Sequence, residues 1–74
     1  MSNEQLILLE GATSDLVECI VCHEGVSMAD AFDLVYKSKL YRKMEDPQTG
    51  LYREGPIYLY DMLCEERGVK PAIK

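Results

Sequence analysis

Residues 3–23 read NEQLILLEGATSDLVECIVCH, and the spacing of their apolar side chains indicates the fold class. Side chains suited to one buried face recur every three or four residues, at Leu9, Thr13, Leu16, Ile20 and His23, with Leu6, Ala12, Val17 and Cys19 at its edges. This spacing is typical of an amphipathic α-helix that other helices must cover. Gly11 costs about 1 kcal/mol relative to alanine inside a helix. The helix is therefore either continuous or divided at Gly11, with Thr13 or Ser14 capping its second part.

Two further helices are predicted between residues 25 and 45. Gly25 suits the left-handed residue that closes the first helix. Ser27 is placed to cap the second, with Asp30 three residues later. The predicted buried stripe of this second helix consists of Met28, Ala31, Phe32 and Val35. Ser38 either caps a short third helix that carries Leu40, Tyr41 and Met44, or the second helix continues to Glu45.

A turn and a last helix complete the fold. Residues 46–50 read DPQTG, in which proline disfavours helix at the preceding residue and glycine permits a positive φ. Leu51 and Tyr52 are expected to form a short extended segment over the core. Pro56 suits the first position of a helix that ends before Gly68. The fold class is therefore all-α, a small three- to four-helix bundle with an irregular turn segment before the last helix. Residues 1–69 are predicted to form a single helical domain, and residues 70–74 a flexible tail.

Size and charge limit the function. A chain of 74 residues forms one domain with a small core, which a partner subunit or a metal often supplements. Its net charge is −5, and residues 1–36 contain seven acidic residues but no lysine or arginine. An acidic chain is a poor nucleic-acid binder. The bases at Lys37, Lys39, Arg42 and Lys43 are accordingly interpreted as an exposed helix face, with RNA binding as a weaker alternative.

The cysteines and the amino terminus indicate a cytoplasmic protein. Three cysteines cannot all pair within one chain. The first residues lack the basic start of a signal peptide, and no apolar stretch is long enough to span a membrane. We therefore expect a reducing location and cysteines that are mostly buried.

One motif points to a metal or cofactor. Cys19, Cys22 and His23 match C-x-x-C-H, the attachment signature of c-type haem. Covalent haem attachment takes place outside the cytoplasm, and the motif falls within the predicted first helix. With Cys64 the same residues form a possible zinc set, but on a regular helix Cys22 points about 60° away from Cys19. The favoured interpretation is that the chain binds no cofactor; metal or haem binding at this motif is the alternative.

The tyrosines carry the main functional hypothesis. The last helix contains IYLYDML at residues 57–63 and is apolar almost all round, so a small bundle cannot cover every side of it. Tyrosine and methionine are favoured in interface cores. The predicted interface residues are Leu51, Tyr52, Ile57, Tyr58, Tyr60 and Met62. No catalytic constellation is visible, so the sequence predicts a non-enzymatic interaction module, either a homo-oligomer or bound to a small protein partner.

The second half of the chain also carries a resemblance. Residues 49–52 read TGLY and residues 56–60 read PIYLY, after a segment that begins near residue 27. This pattern, over residues 27–66, resembles a family of short, uncharacterised bacterial proteins. The resemblance implies a bacterial cytoplasmic protein and brings no activity or catalytic residue with it.

Overall fold

Four α-helices and one 3₁₀ helix make up the described part of the chain. The computed structural model describes residues 3–69. Its elements are α1 (Asn3–Glu24), α2 (Met28–Tyr36), α3 (Lys39–Glu45), a 3₁₀ helix (Leu51–Arg53) and α4 (Pro56–Arg67). The predicted all-α bundle is confirmed. At 1.5 Å per residue the 22 residues of α1 extend for about 33 Å, which equals the longest dimension of the molecule.

The first helix is continuous through Gly11. The Thr13 hydroxyl donates to the Leu9 carbonyl at 2.8 Å, inside the helix, and therefore does not cap a new one. Burial of Leu9 and Ala12 on the two sides of Gly11 offsets the low helix propensity of glycine. The predicted alternative of a helix divided at Gly11 is wrong.

Two serines separate the next helices. Ser27 accepts a hydrogen bond from the Asp30 amide, and Ser38 accepts one from the Tyr41 amide, both at 3.1 Å. The cap at Ser38 decides between the two predicted arrangements, because it begins α3 as a separate helix. Met28 was placed on the buried stripe of α2, yet its side chain is 51% exposed. It is the first residue of α2, and the buried residues of this helix, Ala31 and Val35, lie further along it.

The segment after the DPQTG turn is helical rather than extended. Gly50 adopts a positive φ of 65°, as the turn required. The Arg53 amide then donates to the Gly50 carbonyl at 3.1 Å, and the Glu54 amide to the Leu51 carbonyl at 3.0 Å. These bonds wind Leu51–Arg53 into a 3₁₀ helix, so the extended segment predicted at Leu51 and Tyr52 is wrong.

All five elements contribute to one core. Its buried apolar side chains come from α1 (Leu9, Ala12, Leu16, Val17, Ile20), α2 (Ala31, Val35), α3 (Leu40, Met44), the 3₁₀ helix (Tyr52) and α4 (Leu59, Tyr60, Leu63, Cys64). The last helix ends before Gly68, which has a φ of 71°. The predicted tail at 70–74 lies outside the described residues. Within 3–69, no helix has the length and apolar character needed to cross a membrane.

Candidate interaction surface

The structure divides the six predicted interface residues into three groups. Ile57 and Tyr58 are exposed, Leu51 and Met62 are half-buried, and Tyr52 and Tyr60 are core residues at 4% and 1% exposure. The assignment of Tyr52 and Tyr60 to an external surface is therefore wrong. An apolar sequence around the whole of a helix does not say which sides are covered. Here α1 and α3 are the helices that pack against α4, and Tyr60 belongs to the core that they share with it.

Three consecutive exposed apolar residues lie on α1 instead. Leu6, Ile7 and Leu8 are 47%, 67% and 47% exposed, and we call them the amino-terminal apolar patch. Sequence reasoning placed Leu6 at the edge of the buried stripe and did not use the other two. One signal was available: three consecutive helical residues span about 200° around the helix axis, so they cannot all face one core.

A groove runs beside this patch, between α1 and the 3₁₀ helix. It has a volume of about 350 Å³ and is lined on the α1 side by Leu8, Gly11 and Asp15, among others. Its other wall contains Tyr52, Arg53 and Glu54. We call it the α1 groove. Because Gly11 has no side chain, and a Cβ there would meet nothing within 4 Å, the floor of the groove is open at this residue.

Tyr52 holds the two walls of the α1 groove together. Its hydroxyl accepts a hydrogen bond from Gln5 Nε2 at 3.4 Å, and its ring is buried against the core. The Arg53 guanidinium carbon lies 5.5 Å from the centre of that ring, within the range of a cation–π contact. A buried aromatic side chain therefore fixes the wall and orients its exposed charge.

The Cys-x-x-Cys-His motif lies at the end of α1, at the other end of the helix from the patch. Cys19 is half-buried, Cys22 is exposed and Cys64 is buried, and all three are free thiols. The expectation of mostly buried cysteines is thus wrong for Cys22. Burial, and secondarily the other two cysteines, raises the pKa of the Cys19 thiol.

His23 is oriented by its own helix. Its Nδ1 lies 2.8 Å from the Cys19 carbonyl oxygen and 3.7 Å from Cys19 Sγ. Since a carbonyl oxygen only accepts, Nδ1 carries the proton of this hydrogen bond. Among residues 3–69, no group of three or more His, Cys, Asp or Glu side chains is arranged to hold a metal ion. The four candidate ligands of the sequence therefore do not converge into a metal site in this conformation.

A polar network joins the ends of α1 and α4. Glu24 Oε2 accepts from the Tyr60 hydroxyl at 2.7 Å and from Arg67 Nη1 at 2.8 Å, and Glu24 Oε1 accepts from Arg67 Nη2 at 3.2 Å. The Arg67 hydrogen bonds lower the pKa of Glu24, partial burial opposes them, and the Tyr60 bond lowers it further. Burial, followed by the bond to Glu24, raises the pKa of Tyr60. This network fixes the relative positions of two helices.

Another carboxylate, that of Glu66 on α4, caps α3. Glu66 Oε2 accepts from the Lys39 amide and Glu66 Oε1 from the Leu40 amide, both at 2.8 Å. Glu66 is an exposed residue, yet both oxygens of its carboxylate accept hydrogen bonds from the start of α3. Free amides at a helix start attract a carboxylate from any element that reaches them. Adjacency in sequence gave no sign of this contact because 26 or more residues separate the partners.

We expect Glu66→Ala to lower the free energy of unfolding by about 0.5–2 kcal/mol, the usual cost of losing a helix cap. Glu65→Ala is the matched control, since Glu65 is exposed, and a change within about 0.5 kcal/mol is expected. Urea denaturation followed by circular dichroism measures both. Equal effects of the two substitutions would show that the contact with α3 contributes no stability.

The basic residues between 37 and 43 do not form a uniformly positive surface. Lys37, the residue after α2, pairs with Asp33 of that helix at 3.0 Å. Lys39 and Lys43 line a shallow pocket together with the acidic residues Glu65 and Glu66. Mixed charge of this kind disfavours a phosphate backbone as the ligand.

Comparison with known proteins assigns no relative. No protein-family model matches the chain, and neither a curated protein nor a solved structure is significantly similar to it.

Proposed function

We propose that this chain is a non-enzymatic protein–protein interaction module that self-associates through its amino-terminal apolar patch. The observation that carries the proposal is the exposure of Leu6, Ile7 and Leu8 as three consecutive large apolar side chains. Scattered apolar residues are normal on a protein surface, whereas neighbouring exposed apolar side chains are a common sign of an interaction site, and Ile7 and Leu8 line the same surface depression.

The start of α4 carries a second pair of exposed apolar residues. Ile57 and Tyr58 are 58% and 51% exposed, and they follow closely on the 3₁₀ helix that packs against α1. They are the two residues of the predicted interface that remain available to a partner. An exposed tyrosine supplies a large contact area at a low cost in conformational entropy.

The small core supports the same proposal. A single core in a chain of this length contributes about 3–5 kcal/mol of net stability. Each Leu or Ile side chain that is fully removed from water contributes about 1.5–3 kcal/mol. Because Leu6, Ile7 and Leu8 are 47%, 67% and 47% exposed, a partner that covers them would contribute roughly half of that value for each residue. The proposal places the chain in the cytoplasm, where an exposed thiol such as Cys22 stays reduced.

Native mass spectrometry of the intact chain over a concentration series tests self-association. The expected species has twice the 8.4 kDa mass of one chain and no added mass. Ile7→Asp is expected to raise the dissociation constant of the dimer by about tenfold or more, because it places a charge where the dimer would bury isoleucine. Met28→Asp is the matched control, since it introduces the same charge at an exposed apolar residue of α2.

Two results would contradict the proposal. A single-chain mass at every concentration would exclude self-association. A mass increase equal to zinc or haem that disappears in Cys19→Ala with Cys22→Ala would favour the metal-binding alternative.

A further inference from the structure

The α1 groove continues toward the amino-terminal end of α1. Ile7 and Leu8 line both this groove and a second depression, which Glu4 also lines. Lining residues of α1 recur at intervals of three or four, at Glu4, Ile7, Gly11 and Asp15. This spacing places them on one side of the helix, along about 16 Å or three helical turns. We call the two depressions together the extended groove.

The middle of the extended groove is apolar and open. Ile7 is 67% exposed and Leu8 is 47% exposed, and Tyr52 forms part of the facing wall. A Cβ on Gly11 would meet nothing within 4 Å, so an empty space lies one turn after Ile7. Helices pack by placing the side chains of one between those of the other. The extended groove therefore offers apolar contact area and a space for one inserted apolar side chain.

The charges of the extended groove are mostly acidic. Glu4 and Asp15 lie at its two ends on α1, and Glu54 lies on the facing wall. Arg53 is the one base among the described lining residues, so the lining carries three acids against one base. Residues 3–36 contain no lysine or arginine, so α1 supplies no further base to this surface. Complementary charge is a general feature of specific interfaces, and a cationic segment complements this lining.

We infer that the extended groove binds a basic amphipathic helix of another protein. The apolar residues of that helix lie against Ile7 and Leu8 and insert over Gly11, and a base near each end of its apolar face pairs with Glu4 or Asp15. An amphipathic helix in an apolar groove is a recurrent mode of peptide recognition. The inference goes beyond the proposed function and does not depend on self-association.

Self-association and this partner use different sides of the amino-terminal apolar patch. Leu6 lies about 200° from Leu8 around the axis of α1. It is outside the described lining of the extended groove. A second copy that contacts the Leu6 side therefore leaves the extended groove open to the basic helix.

Two synthetic peptides test the charge preference. The basic peptide is a helix-forming sequence of about 14 residues, or about four turns, with leucines on one face and a lysine at each end of that face. The acidic peptide has glutamate in place of both lysines. Isothermal titration calorimetry with the wild-type chain is expected to give a dissociation constant at least about tenfold lower for the basic peptide. Equal affinities, or no binding of the basic peptide, would overturn the inference.

Asp15→Arg locates the charge contact. It is expected to raise the dissociation constant of the basic peptide by about tenfold or more and to lower that of the acidic peptide. Asp61→Arg is the matched control, since it makes the same change of net charge at an exposed residue of α4 outside the groove lining. It is expected to leave both dissociation constants within about twofold, because salt screens distant charges. Equal effects of the two substitutions would assign the binding to net charge and overturn the extended groove as its site.

Gly11→Leu tests the space at the middle of the extended groove. Leucine fills this space and has a higher helix propensity than glycine, so the variant is expected to remain folded by circular dichroism and to bind the basic peptide about tenfold more weakly. Ser14→Leu adds the same side chain at another exposed residue of α1, outside the groove lining, and is expected to bind as the wild type does. Unchanged binding by Gly11→Leu would overturn insertion over Gly11. Native mass spectrometry without peptide reports self-association separately, so failure of the proposed function is distinguished from failure of this inference.

Discussion

Replacing Tyr60 by alanine is expected to lower the free energy of unfolding by about 3–5 kcal/mol, as removal of a large buried aromatic side chain does. Tyr60 is 1% exposed, and its hydroxyl donates to Glu24 at 2.7 Å. A loss of this size is comparable to the whole stability of a chain this small. The variant is therefore expected to be mostly unfolded at 25 °C. Circular dichroism measures its helix content, and urea denaturation of the wild type supplies the reference stability.

Tyr58→Ala is the matched control two residues away on the same helix. Tyr58 is 51% exposed, so its removal is expected to change the stability of the monomer by no more than about 0.5 kcal/mol. The pair separates a core role from a surface role for two residues that the sequence alone assigned to one interface. Equal stability of the two variants would contradict the burial of Tyr60.

The second large effect is expected at Glu24. Glu24→Gln removes the charge that Arg67 and Tyr60 face, and hydrogen bonds to a charged group contribute about 1.5–3 kcal/mol. We expect a loss within this range at neutral pH, measured by urea denaturation. Glu18→Gln, an exposed acid on the same helix, is the control and is expected to be near neutral.

The effect of Glu24→Gln is expected to depend on pH. The folded pKa of Glu24 is lowered, so its contribution is fully present above the unfolded pKa of about 4.3. That contribution is lost as the pH falls below this value and through the lower pKa of the folded state. The wild type and Glu24→Gln should therefore differ at neutral pH and converge in acid. A difference that is constant with pH would show that the loss does not come from the charge of Glu24.

Much of the fold was predictable because its signals are local. Ser27 and Ser38 bond to amides three residues away, and Gly50 and Gly68 have the positive φ values that their turns require. Each of these depends on a few neighbouring residues. The error at Leu51 has the same origin, because a 3₁₀ helix and an extended segment satisfy the same short apolar pattern.

The surface was less predictable because burial depends on contacts between distant residues. Tyr60 and Tyr58 have the same side chain and similar neighbours, yet only Tyr60 reaches Glu24, 36 residues earlier. Helical periodicity predicts an apolar face but does not indicate how much of that face other helices pack against. On α1 the residues before Leu9 are not covered by the other helices. Leu6, which was predicted at the edge of the buried stripe, is therefore exposed.

The length of α1 has a consequence for local stability. The middle of the helix, around Leu16 and Ile20, is fully buried and opens only when the whole core is lost. Residues 3–8 at its start include no core side chain, so they fray at a much lower free energy without disturbing the rest of the bundle. Amide protons along this one helix should therefore exchange with solvent over a wide range of rates. A dimer that covers the first turns would narrow that range and make the whole of α1 one cooperative unit.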